Sequence, residues 1–472
     1  MIFSCKPIGR NFMDRLHNTV RDVYRLIVIR RNGSELLLRS RRGAWLLPSV
    51  EISPGQRIAE QLCAKLYAQY GFRAYCLLVP NLAAGFARCA VLEVPDPGAG
   101  ASAETCWIAR DAATCAAMES AEDRIFIEKS FGELGSCRRK PKEAPFARLG
   151  WLSELFAWAE QQLDPLGVRL TGAFTHLNAS PACSLMRLET DDSAVWFKAV
   201  GEQDRHELAV TACLARLFPE SVPELLAIHV GWNGWLTRAV RGQTLNHATE
   251  LAAWLKAAED LARLQIESIG KHTELLEGSC RDLTLPKLIE EIDPFVDRMR
   301  GLMAAQEKQT PAPLANTELA LLRDGLKRSC SRLSEFGLPD TLGHLDFNPG
   351  NIVVSPARCV FLDWAQACVT SPLVTFEYLR EHFRRNCTDD RSTVENLVAA
   401  YVQPWQSVFS PDVLKQALRF SPLVAVFAYA ADARRSSGPC DTSFSRAYFR
   451  SLARRMFREA GQVIERSERC PA

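Results

Sequence analysis

The chain has 472 residues, of which 47% are hydrophobic and 24% charged, with 57 basic against 55 acidic side chains and a net charge of +2. That balance excludes wholesale disorder and any strong overall field toward nucleic acid, and it supplies apolar material for at least two cores. No stretch approaches the eighteen or so apolar residues of a membrane-spanning helix; the longest candidate, 423–431, is about half as long.

Met1 to Lys6 begins no apolar segment with a small-residue cleavage site, so a cytoplasmic location is expected. Sixteen cysteines are scattered from Cys5 to Cys470, without a Cys-x-x-Cys or a Cys/His cluster at zinc-ligand spacing. They are expected to be reduced, mostly buried thiols packing as small hydrophobes.

In chain order, a first block (20–94) opens with Leu26-Ile27-Val28-Ile29 and Leu36-Leu37-Leu38 around Asn32-Gly33, a hairpin signal. After Trp45-Leu46-Leu47-Pro48, Ser53-Pro54 predicts a capped helix start; Ile58, Leu62 and Leu66 recur every four residues, and Gly71 marks the stop. β-rich runs at 74–79 and 87–94 complete a small mixed domain. Residues 95–149 are expected as an irregular linker, containing a loop at 95–102 and ending in the solvated basic run Arg138-Arg139-Lys140-Pro141-Lys142. From residue 150 to 460 the pattern changes. A helix is expected at 151–163, strands at 168–174, 185–188 and 194–200, a helix at 207–217 and a strand at 235–240, with mostly helix thereafter.

The interruption at 341–364 carries chemistry. Gly343-His344-Leu345-Asp346-Phe347-Asn348-Pro349-Gly350-Asn351 predicts a rigid loop, and Ile352-Val353-Val354, a turn and Val360-Phe361-Leu362-Asp363-Trp364 bring the chain back to a second carboxylate. Phosphoryl transfer asks a protein chiefly for positioning and charge neutralisation. Asn351 and Asp363 supply an amide oxygen and a carboxylate suited to Mg2+. Asp346 is a carboxylate placed to orient an attacking hydroxyl and accept its proton. Upstream, Trp196-Phe197-Lys198-Ala199-Val200 is an apolar strand holding one lysine, and Glu207 opens an apolar helix nine residues later. Such a lysine is either an edge charge facing water or, paired with Glu207, a phosphate anchor.

The wording His-x-Asp-x-x-Pro-Gly-Asn followed by Leu-Asp-Trp resembles the aminoglycoside phosphotransferase and choline kinase family, small-molecule kinases with a protein-kinase-like fold. The resemblance covers roughly 168–435. It implies a small β-rich lobe (165–237), a large helical lobe (245–460) and ATP between them. It also implies Asp346 as base, Asn351 and Asp363 on magnesium, Lys198 and Glu207 at the phosphates, and the backbone of Arg238, Ala239 and Val240 on adenine, followed by Gly242-x-x-Leu245. The hairpin from Thr171-Gly172 through Ser180 and Ser184 falls where a phosphate-covering loop belongs but lacks its glycines, and an ordinary hairpin fits it equally. Thr375 stands where the family has a helix-capping Asp, Gln265 where a His is common, and His344 reads as a hydrogen-bonding post. A protein kinase is disfavoured by the missing Phe-Gly after Asp363 and the missing Ala-Pro-Glu.

The first block is similar in layout to the Nudix hydrolase signature, with Trp45-Leu46-Leu47-Pro48, Gly55 and a helix closing at Gly71. The metal-binding carboxylates of that signature are replaced by Gln56, Ala64, Lys65, Ala68 and Gln69, so no diphosphate-cleaving centre is expected. The expected architecture is therefore α+β, a degenerate Nudix-like α/β domain followed by a bilobal kinase-like domain. The expected function is transfer of the ATP γ-phosphoryl to a hydroxyl of a small molecule. The rival is a catalytically inactive, nucleotide-binding regulatory module. Glu290, Glu291, Asp293, Asp389 and Asp390 read as solvated surface rather than a cation-binding face.

Overall fold

The computed structural model describes residues 22–53, 57–79, 88–96, 98–100, 104–111, 118, 120–140, 142–308, 310–436 and 443–469. The chain divides into two units, Met1–Leu208 with Glu224–Ala239 and Ala209–Pro223 with Val240–Ala472. Sheets and helices are mixed throughout, as the α+β expectation requires.

In the first unit, β1 (Asp22–Arg30), β2 (Glu35–Arg41), β3 (Ala44–Leu46), β4 (Ser49–Ile52), β5 (Tyr75–Leu78), β6 (Arg88–Glu93) and β7 (Thr105–Ala109) form one sheet. Its order is β3-β2-β1-β6-β5, with β4 on β1 and β7 on β2. The unbroken apolar run of β1 follows from burial on both faces. Leu26 and Val28 pack on one side with Leu62 and Leu66 of α1 (Ile58–Tyr70), while Ile27 and Ile29 pack on the other. α1 ends at Gly71, left-handed at φ 79°, whose N–H donates to the Tyr67 carbonyl at 2.8 Å. The helix begins at Ile58, and Pro54 and Gln56 of the expected cap and metal motif lie outside the described residues. Ala64, Lys65, Ala68 and Gln69 occupy its exposed side.

The stretch 95–149 departs from the linker expectation. It supplies β7 and the helix α2 (Ala121–Arg138), which buries Phe126, Ile127 and Leu134. Helical periodicity is masked there because the buried stripe also contains Asp123 and Ser130. Asp123 pairs with Arg25 and accepts the Leu47 N–H at 3.1 Å, so a carboxylate is at home in that core. Next, α3 (Trp151–Leu163) spans the residues its spacing predicts and buries Trp151, Leu152, Leu155, Ala159 and Leu163.

A second sheet follows, β8 (Leu170–Ala179), β9 (Ser184–Thr190), β10 (Val195–Ala199), β11 (Leu225–His229) and β12 (Gly234–Arg238), ordered β11-β12-β10-β9-β8. Helix α4 (His206–Leu217) follows β10. Met186, Leu188, Val195, Phe197 and Leu236 of this sheet belong to the same buried cluster as Ile27, Ile29, Phe126 and Trp151. The first block and the second sheet are thus two walls of one apolar core.

His176 of β8 is 1% exposed within this unit. Burial pushes its pKa down to about 4. Because the folded state resists protonation, this group's contribution is complete above about pH 6.5 and is lost as the pH falls toward 4. The stability gap between wild type and His176→Gln should therefore shrink by about 2 kcal/mol between pH 7 and 4.5, read from urea unfolding at both pH values. A gap independent of pH would mean that the imidazole is solvated.

The second unit contains β13 (Gln243–Thr244), α5 (Leu251–Glu267), α6 (His272–Glu277), β14 (Arg281–Asp282), α7 (Leu285–Ala304) and α8 (Asn316–Glu335). Then come β15 (Thr341–His344), β16 (Ile352–Val354), β17 (Cys359–Phe361), β18 (Ala367–Thr370), α9 (Pro372–Asn386) and α10 (Arg391–Trp405). It closes with α11 (Pro411–Ala417), α12 (Ser421–Ser436) and α13 (Ser443–Arg469). Two small sheets, β13-β16-β17 and β14-β18-β15, carry the motif region, and the helices share one core around Trp254, Phe295, Leu322, Phe376, Tyr401 and Phe427. Among the described residues no helix is long and apolar enough to cross a membrane. The described cysteines are free thiols, and burial pushes Cys76, Cys89, Cys280 and Cys330 up to about 12.

Candidate active site

In the second unit, β15 delivers Asp346. The strand passes so close to β18 and α9 that a Cβ on Gly343 would lie 2.6 Å from Thr370 Cγ2 and 3.2 Å from Thr375 Oγ1. Glycine is required there by contact. Gly242 faces a similar limit, since a Cβ would lie 2.5 Å from the Val354 carbonyl oxygen, and its φ is 143°.

His344, 1% exposed, joins the two halves of the motif. Its Nδ1 accepts the Asp346 N–H at 3.2 Å, and its Nε2 lies 3.0 Å from the Leu362 carbonyl oxygen. A backbone N–H can only donate and a carbonyl can only accept, so the ring is neutral with its proton on Nε2. Phe347 and Trp364 pack on the imidazole, with centroids at 5.6 and 4.6 Å. The residue is a post between the Asp346 loop and the segment that leads to Asp363.

Asn351 and Asp363 are neighbours across the β16–β17 hairpin. Ile352 pairs with Phe361, and the Leu362 N–H donates to the Asn351 carbonyl at 2.8 Å. The Asn351 Nδ2 donates to the Asp346 carbonyl at 3.0 Å. Its amide is thereby turned with Nδ2 toward Asp346, leaving Oδ1 as the oxygen donor. Asp363 has φ 60° and ψ 61°, a left-handed conformation costing roughly 1 kcal/mol outside glycine, and it immediately precedes the single turn Trp364–Gln366.

Two neighbours had no functional role in the sequence reading. Asn348 Nδ2 donates to Asp346 Oδ1 at 3.1 Å while its Oδ1 accepts the Gly350 N–H at 2.9 Å, so it fixes one carboxylate oxygen. The signal was present as Asn before Pro349, the pattern of a cap with proline in the first turn. Thr375 lies inside α9 and does not cap it; its hydroxyl accepts the His344 N–H at 2.9 Å and anchors the motif strand. Gln265 is fully buried and structural, donating to the Pro372 carbonyl at 2.8 Å and accepting from the Tyr401 hydroxyl at 2.7 Å. Glu290 pairs with Lys287 and Asp293 with Lys327 on the surface, and Asp390 caps α10.

In the first unit, Lys198 sits on an interior strand, opposite Leu185 on one side and Trp235 on the other. The edge-charge alternative is thereby excluded. Its ammonium pairs with Glu207, which is 3% exposed, and lies 5.8 Å from the Trp235 ring centroid. Lys198→Met takes the cation from a buried carboxylate and should cost about 1–3 kcal/mol. Adding Glu207→Gln should restore most of the stability, as checked by thermal melting of the single and double variants.

Arg238 and Ala239 follow the sheet at its end. The Arg238 N–H donates to the Glu224 carbonyl and the Ala239 N–H to the Ala194 carbonyl, both at 3.0 Å. Both N–H groups are thus engaged within the protein. The hairpin β8–β9 turns at 180–183, inside the 171–184 stretch where a hairpin is expected. Ser180 Oγ accepts the Ala182 and Cys183 N–H groups at 3.3 and 2.9 Å, so the turn is closed on itself.

The donor set fits a hard divalent cation of the magnesium type, which takes one or two protein oxygens and completes its shell with phosphate and water. Among the described residues, no cluster of three or more His, Cys, Asp and Glu that could hold a metal occurs. The available pair is one carboxylate and one oriented amide oxygen.

A protein-family comparison matches residues 202–408 to the phosphotransferase enzyme family. This stretch belongs to that family. It includes Glu207, residues 238–240, Asp346, Asn351 and Asp363, and its chemistry is that of a small-molecule phosphotransferase. The chain is similar to an ethanolamine kinase of Plasmodium vivax, at 13% identity over 64% of this chain and 88% of that one, with a TM-score of 0.46. A choline/ethanolamine kinase family protein from Mesorhizobium loti shares 16% identity over 66% and 94%, with a TM-score of 0.43. A macrolide 2'-phosphotransferase from Brachybacterium faecium shares 13% over 64% and 98%, with a TM-score of 0.44. The comparison with curated proteins gave no match.

Proposed function

We propose that the protein transfers the γ-phosphoryl group of ATP to a hydroxyl of a small molecule. The observation that carries this reading is the neutral His344, which joins the Asp346 loop to the segment that leads from β17 to Asp363. A loop braced in this way supports positioning catalysis, in which little is asked of the protein beyond fixed charges in fixed places.

Asp346, with one carboxylate oxygen held by Asn348, would orient the acceptor hydroxyl through the other and take its proton as the oxygen–phosphorus bond forms. Asn351 and Asp363 would hold magnesium, which when bound neutralises phosphate charge. Lys198, aimed by Glu207, would pair with phosphate oxygens. The Val240 backbone and the carbonyls of Arg238 and Ala239 would receive the adenine edge. The exposed side of α1, with Ala64, Lys65, Ala68 and Gln69, supports no diphosphate hydrolysis by the Nudix-like block.

The test is magnesium-dependent ADP release from ATP, with a panel of hydroxyl compounds as acceptors. Asp363→Asn keeps the left-handed backbone tolerable while removing the charge. It is expected to reduce turnover at least 100-fold, with partial recovery at high magnesium. Equal turnover of wild type and Asp363→Asn would overturn the assignment, and tight nucleotide binding without turnover on any acceptor would favour the regulatory module.

A further inference from the structure

His176 is a buried polar link between the first block and the second sheet, in a largely apolar seam. The His176 Nδ1 accepts the Cys76 N–H of β5 at 3.2 Å. With that nitrogen engaged as an acceptor, Nε2 carries the proton and donates to Ser184 Oγ at 3.2 Å. Ser184 opens β9 and stands opposite Ala179 and Ala199 in register, and Leu185, the next residue, stands opposite Lys198. The imidazole therefore connects the backbone of the N-terminal sheet to the strand pair that places the lysine.

Further contacts brace the seam. The Trp151 ring packs edge-on against His176 at 6.0 Å and against Tyr75 at 5.4 Å. The Tyr75 hydroxyl donates to Glu93, whose carboxylate also accepts the Gly150 N–H at 3.0 Å at the start of α3. The Phe146 N–H, from the segment between α2 and α3, donates to the Pro181 carbonyl in the β8–β9 turn at 3.1 Å. That turn abuts the exit of the lysine strand, since a Cβ on Gly201 would lie 3.2 Å from Ala182 Cβ.

We propose that His176 is a positioning residue for Lys198, through which the N-terminal block sets nucleotide affinity. The inference rests on the ATP-dependent phosphotransferase reading above. A buried imidazole that both accepts and donates is a specific requirement; a purely apolar seam would need neither hydrogen bond. Burial holds this ring neutral over the physiological range, so both bonds persist at working pH. Losing the Ser184 bond frees the start of β9, which lets the Leu185–Lys198 pair and the 180–183 turn shift together. The ammonium then meets phosphate in fewer of its positions, and the effect falls on binding more than on the chemical step.

The experiment is steady-state ADP release on the full-length protein, comparing wild type, His176→Leu, His176→Gln and Ser184→Ala, with Asp346→Asn as the catalytic control. His176→Leu is expected to raise the KM for ATP about tenfold with kcat within twofold. Ser184→Ala should raise it about threefold, and Gln, which retains an acceptor and a donor, should fall between wild type and Leu. If His176→Leu does not fold, Ser184→Ala decides. An unchanged KM in a folded variant, or a loss confined to kcat, overturns the proposal while turnover in wild type and its absence in Asp346→Asn leave the catalytic reading standing. Wild-type protein without turnover, or turnover that survives Asp346→Asn, overturns the catalytic reading and this inference with it.

Discussion

Asp346→Asn is expected to lower magnesium-dependent turnover by about two to four orders of magnitude, while the melting temperature stays within about two degrees of wild type. The asymmetry follows from the contacts. The substitution keeps the Asp346 backbone contacts, in which the carbonyl accepts from Asn351 and the N–H donates to His344. The side chain accepts from Asn348 through Oδ1, and an asparagine oxygen accepts that bond equally well. What is lost is the basicity of the second oxygen. ATP affinity should stay within about threefold, because the residue acts on the acceptor's proton. Parallel measurements of kcat, nucleotide binding and melting separate these effects. Turnover within tenfold of wild type would remove Asp346 from the chemistry.

A chain beginning at residue 150 is expected to be insoluble, or to bind hydrophobic dyes and melt without cooperativity. Met186, Leu188, Val195, Phe197 and Leu236 are fully buried in a cluster that includes Ile27, Ile29, Tyr75, Phe126 and Phe146. Removing the first block exposes one face of that cluster. At roughly 1.5–3 kcal/mol for each large apolar side chain returned to water, a handful exceeds the whole stability of an ordinary domain. The measurement is soluble yield and the cooperativity of thermal unfolding against full-length protein. A soluble monomer melting within about five degrees of the parent would show the two walls to be separable.

The motif was legible because its chemistry is written within some twenty residues, where hydrogen bonds close over short separations. Asp346, Asn348, Asn351 and Leu362 find one another across a loop and a hairpin. The helix 151–163 and its apolar spacing were legible for the same local reason, as was the stop at Gly71. The rest depended on partners far along the chain. Helix α2 hides its periodicity because Asp123 is buried to meet Arg25, 98 residues earlier. Thr375 looked like a cap because no local pattern reports that its hydroxyl serves the His344 amide, 31 residues upstream. His176 raised no expectation at all, since its role depends on the Cys76 amide 100 residues away.

The backbone at Asp363 has a practical consequence for laboratory evolution. An aspartate held at φ 60° imposes a conformational penalty that glycine does not. A library screened only for survival of heating should accordingly enrich Gly at 363, gaining up to about 1 kcal/mol while abolishing turnover. Selection for durability and selection for phosphoryl transfer would pull this one codon in opposite directions.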